Sequence, residues 1–127
     1  MKLSKSEEIL MQHLWKLEKA FMKDILEAYP EPKPAHTTIA TLLKRMIKKN
    51  FVKYELFGNS RQYTPTIRKN DYFSDQVNGI IKEFYDNSAP QFASFFTSKI
   101  KFTKAELEDL KHMIDEQIKK QQSWFIL

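Results

Sequence analysis

The chain has 127 residues, 42% of them apolar and 13% aromatic, enough to close one small domain with an appendage and too apolar for a disordered tail. Two glycines argue against phosphate-cradling loops, and the lack of cysteine excludes disulfides, thiolate metal sites and a cysteine nucleophile. The net charge of +5 is unevenly placed: residues 1–70 carry fourteen Lys and Arg against seven acids, whereas residues 71–127 carry seven Lys against nine acids, so a polyanion-binding surface is expected in the front half. The opening residues contain no apolar signal region, and no apolar run approaches the roughly 20 residues of a membrane span, which points to the cytoplasm.

Ser4-Lys-Ser-Glu7 has the capping-box form and predicts a first helix over about residues 5–18, with Leu10, Leu14 and Leu17 on its buried face and Met11 and Trp15 beside them. Phe21 to Tyr29 reads as a short second helix, ended by Pro30, Pro32 and Pro34. The next helix, about 37–49, has two faces. Ile39, Leu42, Leu43, Met46 and Ile47 fall on one apolar stripe at 100° per residue. Thr37, Thr41, Lys44 and Lys48 recur along the opposite face, with Thr38 and Arg45 flanking the stripe. No acid lies between Thr37 and Asn50. Short hydroxyls can approach base edges and cations can hold phosphates, so this stretch is expected to be a DNA-recognition helix.

After Asn50 the period shortens from 3.6 to 2. Phe51–Phe57 and Arg61–Thr64 predict a β-hairpin around Gly58-Asn59-Ser60. Three helices and then a hairpin is the order of a winged helix-turn-helix, with the hairpin as the wing. Arg61 then has two readings that the residues leave open, a phosphate or minor-groove contact and a cross-strand partner for Glu55. His36 stands just before the helix, where it can contact phosphate or support the first turn.

The character changes after Arg68. A helical stretch to about residue 87 places Phe73, Val77, Ile80, Ile81 and Phe84 at helix spacing, and Pro90 is expected to break it. Phe92, Phe95 and Phe96 form a second apolar set. Thr103-Lys-Ala-Glu106 is another capping box and opens a last helix with Leu107, Leu110, Ile114 and Ile118 on one side. Three amphipathic helices in under sixty residues close a core poorly alone, and exposed phenylalanine is costly at roughly 25 cal/mol per Å², so these twelve residues are expected to form a dimerisation face. An apolar pocket among Phe84, Phe92, Phe95 and Phe96 is a further reading of the same residues. The apolar end Trp124-Phe-Ile-Leu127 reads as packing against the dimer or as a frayed terminus.

His112, Asp115 and Glu116 share a helix face with metal-ligand spacing, but a solvated face is far commoner and no second cluster supports a site, so no metal is expected. There is no recognisable nucleophile–base pair, Walker loop or H-E-x-x-H, hence no catalytic residue and no cofactor. The expected architecture is mainly α with a small β-hairpin: a winged helix-turn-helix domain over residues 1–68 and a helical dimerisation region over 69–127. The expected DNA contacts are Thr37, Thr38, Thr41, Lys44, Arg45, Lys48, Lys49 and Arg61. A winged-helix module used only for protein assembly is the alternative, its basic face docking an acidic partner.

Leu3-Ser-Lys-Ser-Glu7 followed by Leu14-Trp15, the run Thr37-Thr-Ile-Ala-Thr-Leu-Leu-Lys-Arg45, Lys48-Lys49 and the hairpin end Tyr63-Thr-Pro65 together resemble the BlaI/MecI/CopY family of bacterial repressors, over residues 3–66. The tail resembles the family in layout rather than in residues. The resemblance implies a homodimeric winged-helix repressor that binds a palindromic operator, with Thr37, Thr38, Thr41, Lys44 and Arg45 on the DNA-facing helix. It also implies, for antibiotic-responsive members, a sensor-protease that relieves repression by cutting an Asn-Phe bond in the tail. The aligned pair here is Phe95-Phe96, so the Asn is missing. Copper-responsive members end in a Cys-rich motif, which this chain lacks.

Overall fold

The computed structural model describes residues 2–126 of the backbone and the side chains of residues 2–123, so the side chains of Trp124–Leu127 lie outside it. Two compact units emerge, Met1–Val77 and Asn78–Leu127.

In the first unit, helix α1 (Lys5–Leu17) starts on the expected capping box. The Ser4 N–H donates to Glu7 Oε1 at 2.8 Å, and the Glu7 N–H donates to Ser4 Oγ at 3.3 Å. Two of the helix's orphan donors are thereby satisfied. Leu10, Met11 and Leu14 are buried. Leu17 is not: it ends the helix just before Glu18 turns to φ +68°, and it is 38% exposed. Phe21, expected in the second helix, instead belongs to a two-residue strand β1 (Ala20–Phe21), and its N–H donates to Asp24 at the start of α2 (Met22–Ala28). A strand of two residues is too short to show a period. Pro30 holds Tyr29 extended at ψ 142°, which stops α2. The Lys33 ammonium then donates to the carbonyls of Leu26, Glu27 and Tyr29 at 3.2, 3.2 and 2.7 Å, where the helix dipole favours a cation.

Helix α3 (His36–Lys48) buries Ile39, Leu42, Leu43 and Met46, four of the five residues of the predicted stripe, and leaves Ile47 half-buried. Strands β2 (Val52–Phe57) and β3 (Ser60–Pro65) form the hairpin, and β1 adds to it in the antiparallel order β1-β3-β2. The turn is shorter than expected. Ser60 pairs with Phe57, so Gly58 and Asn59 alone connect the strands. Gly58 takes φ +63°, the positive φ that tight hairpin turns need at their first central residue.

Helix α4 (Lys69–Phe84) begins in the first unit and ends in the second. Tyr72 is 1% exposed; its hydroxyl donates to Glu8 Oε2 at 3.0 Å and accepts from the Leu3 N–H at 2.9 Å. Trp15 donates its indole N–H to the Ile67 carbonyl at 2.8 Å. These bonds tie the start of α4 to α1.

In the second unit, α4 ends at Phe84 rather than near residue 87, because Asp86 and Asn87 adopt positive φ. Pro90 does not break that helix. It lies in the first turn of α5 (Ala89–Lys99), where a missing N–H costs nothing, behind the Ser88 cap. Helix α6 (Lys104–Ile126) opens on the predicted Thr103–Glu106 box, with bonds of 2.9 and 3.1 Å. The Tyr85 ring meets those of Phe92 and Phe95, Phe92 meets Phe96, and Phe96 meets Phe102, at centroid distances of 5.3–5.9 Å. Yet none of the described side chains between residues 78 and 123 is buried.

Candidate nucleic-acid interface

Burying Ile39, Leu42, Leu43 and Met46 in the core leaves one side of α3 for solvent. Thr37, Thr38, Thr41, Lys44, Arg45 and Lys48 are all exposed on it. Among the described residues, Lys44, Arg45 and Lys48 make no ion pair, so their charge faces outward unneutralised. The N-terminus of α3 adds to this potential: no side chain caps it, and its first turn holds no acid.

Two of the predicted residues have local commitments that spacing did not reveal. The Thr41 hydroxyl donates to the Thr37 carbonyl one turn back, at 2.9 Å. Its proton is engaged, so outward it presents oxygen lone pairs and a methyl group. The Lys49 ammonium sits on the Glu7 carboxylate at 2.9 and 3.1 Å, and its side chain is 33% exposed. It therefore stands apart from the six residues of the open face and fastens the end of α3 to the start of α1. Burial pushes the Glu7 pKa up, but the hydrogen bonds from Lys49 and Ser4 outweigh it and hold the carboxyl below its usual range.

In the wing, strand register removes one of the two readings of Arg61. Leu56 is its direct partner, and Glu55 pairs with Gln62 on the other face, so Glu55 is not its cross-strand partner. The guanidinium lies 4.2 Å from the centre of the Tyr54 ring instead. Such a contact is worth about 0.5–1 kcal/mol at an exposed site and leaves the N–H groups free to donate outward. Asn59 and Ser60 at the turn are exposed. His36 is the first residue of α3 and exposed.

The twelve residues expected at a dimer face are divided by the structure. Phe73 is half-buried in the first unit, edge-on to Tyr72 and Trp15. Val77 also falls in the first unit and is exposed. In the second unit Ile80, Phe84, Phe95, Phe96, Leu107, Ile114 and Ile118 are exposed, while Ile81, Phe92 and Leu110 are half-buried. Phe92 stacks on Phe96 at 5.9 Å and meets Phe95 at 6.5 Å. Sequence reasoning missed Tyr72 as the anchor of α4, because a stripe traced through Phe, Val and Ile passes over a tyrosine whose value is its hydroxyl. Among the described residues no group of three His, Cys, Asp or Glu is placed to hold a metal, and no described helix is long and apolar enough to cross a membrane.

With this geometry in hand, the likeness to known proteins is specific. The penicillinase repressor of Bacillus licheniformis is 23% identical over 115 residues, 90% of each chain. The solution structure of the DNA-binding domain of the repressor BlaI is 28% identical, with a TM-score of 0.50 over 56% of this chain and 88% of that one. The structure of the CopR repressor is 30% identical, with a TM-score of 0.45 over 54% of this chain and all of that one. The profile described as penicillinase repressor matches residues 3–116, and it describes repressors rather than enzymes. On that match, which covers most of the sequence, the chain belongs to the penicillinase repressor family.

Proposed function

We propose that this protein is a DNA-binding transcriptional repressor that acts as a homodimer, each copy laying α3 in the major groove of a palindromic operator. The observation that carries the reading is the open side of α3: six exposed hydroxyl and cationic residues, no acid, and a core-forming stripe directly behind them. Thr37, Thr38 and Thr41 are the base readers. Because its proton is engaged, Thr41 accepts from an exocyclic amine or meets a thymine methyl. Lys44, Arg45 and Lys48 hold phosphates, and Arg61, steadied on Tyr54, does so from the wing. Lys49 supports this surface from behind through Glu7.

The exposed apolar residues of the second unit support dimerisation, since a second copy offers the same surface in return. Two α3 helices then meet successive major grooves, with half-sites roughly 10 bp apart. A sensor-protease acting on the second unit would meet α5, which has no buried residue, at a Phe95-Phe96 pair in place of Asn-Phe.

The test is fluorescence anisotropy with fragments selected from the source genome. At least one fragment should bind well above the nonspecific level, and replacing Lys44 and Arg45 together with Glu should abolish that binding. Replacing a single cation with Ala should weaken all sequences alike and flatten the salt slope by about one unit. Unchanged affinity in the double Glu variant would show that the DNA lies elsewhere.

A further inference from the structure

A recess of about 890 Å³ opens in the first unit between the end of α1, the end of β3 and the start of α4, and no residue of α3 lines it. Two of its walls are aromatic. Trp15 and Phe73, both half-buried, meet edge to face with centroids 5.8 Å apart. The Trp15 N–H is already spent on the Ile67 carbonyl, so the indole is locked in orientation and offers only its apolar surface. The charged lining is unbalanced: Lys16, Arg68 and Lys69 face one carboxylate, Glu18. Among the described residues none of these four makes an ion pair. Burial and then Lys16 push the His13 pKa below its usual value, which favours the neutral ring.

A concave site of several hundred Å³, with aromatic walls and a few convergent polar groups, is the ordinary form of a small-molecule site. Three unpaired cations against one acid select for an anion, and a guanidinium suits a carboxylate because it can bond both oxygens. We propose that this recess binds a small aromatic carboxylate, its ring against Trp15 and Phe73 and its carboxylate on Arg68 and Lys69. Thr64 and Pro65 at the rim belong to β3, the strand that carries Arg61, so the ligand touches the base of the wing. Ligand binding in this recess is independent of DNA and is measured without it.

The chain has two tryptophans, so in a Trp124→Phe variant the fluorescence reports Trp15 alone. Titration with 2-naphthoate should change that signal saturably, and 2-naphthamide, of the same shape but uncharged, should bind about tenfold more weakly. Arg68→Gln combined with Lys69→Gln, both at exposed positions, should bring the two probes within about twofold of each other. Glu18→Gln should tighten naphthoate by about two- to threefold and leave the amide unchanged. Equal affinity for the two probes in the otherwise unsubstituted chain, or no saturation by about 10 mM naphthoate, overturns the proposal.

Discussion

Glu7 shows how one side chain serves two ends of the fold. It is 2% exposed, completes the α1 capping box and receives the Lys49 ammonium, so it joins the first turn of α1 to the C-terminal end of α3. Breaking a buried charged contact leaves its partner without compensation, and Glu7→Ala should lower stability by about 2–4 kcal/mol in urea denaturation. The pH dependence has a definite sign. The folded-state pKa of Glu7 lies below its ordinary value of 4.5, so its contribution is complete above that value and is lost as pH falls through the folded-state pKa. Stability should therefore drop on the acid side below about pH 4.5, and Glu7→Gln should make that limb shallower. The capping role was legible, because Ser4-x-x-Glu7 is local. The bond to Lys49 was not: the two residues are 42 apart in sequence, and an exposed lysine and an anchored one share the same letter.

The chain's two glycines set opposite expectations for the same substitution at the level of the element. Gly58 takes φ +63° at the tip of the wing, and a Cβ there meets nothing within 4 Å, so any cost is purely one of backbone conformation. Gly58→Ala should cost about 1 kcal/mol. Gly79 lies inside α4 with open space around a new Cβ, so Gly79→Ala should stabilise the helix by up to about 1 kcal/mol. Chemical denaturation of both variants at one protein concentration checks the contrast in sign. The wing was readable as a hairpin from its period and its Gly-Asn, but its partner was not. Ala20–Phe21 joins the sheet through pairing with Tyr63 and Gln62, and nothing local marks that edge. The prolines illustrate the same limit: Pro30 stops a helix and Pro90 starts one, depending on which turn they fall in.

For the molecule as a whole, the contrast between the units matters most. The first has a closed core running from Leu3 to Tyr72, while in the second no described side chain is buried and Phe84 and Ile114 are 69% and 60% exposed. Burying an isoleucine side chain is worth about 1.5–3 kcal/mol, so a face of this kind gains substantially from a second copy. Ile114→Asp with Ile118→Asp should convert a sedimenting dimer to a monomer, keep the near-ultraviolet signal of the first unit, and weaken operator binding at least about tenfold at nanomolar protein. A concentration-independent monomer in the unsubstituted chain would contradict the dimer.

The sequence by itself determined the order of the helices and the hairpin, the two faces of α3 and both capping boxes, since these depend on residues within one or two turns of each other. Its charge split also put the excess of cations in the front half, because composition needs no coordinates. Only the tertiary structure separated Lys49 from the exposed cations, turned Arg61 from Glu55 to Tyr54, and moved Tyr72 and Phe73 into the first unit's core. Each of those outcomes depends on strand register or on a partner tens of residues away, and local periodicity carries no information about either.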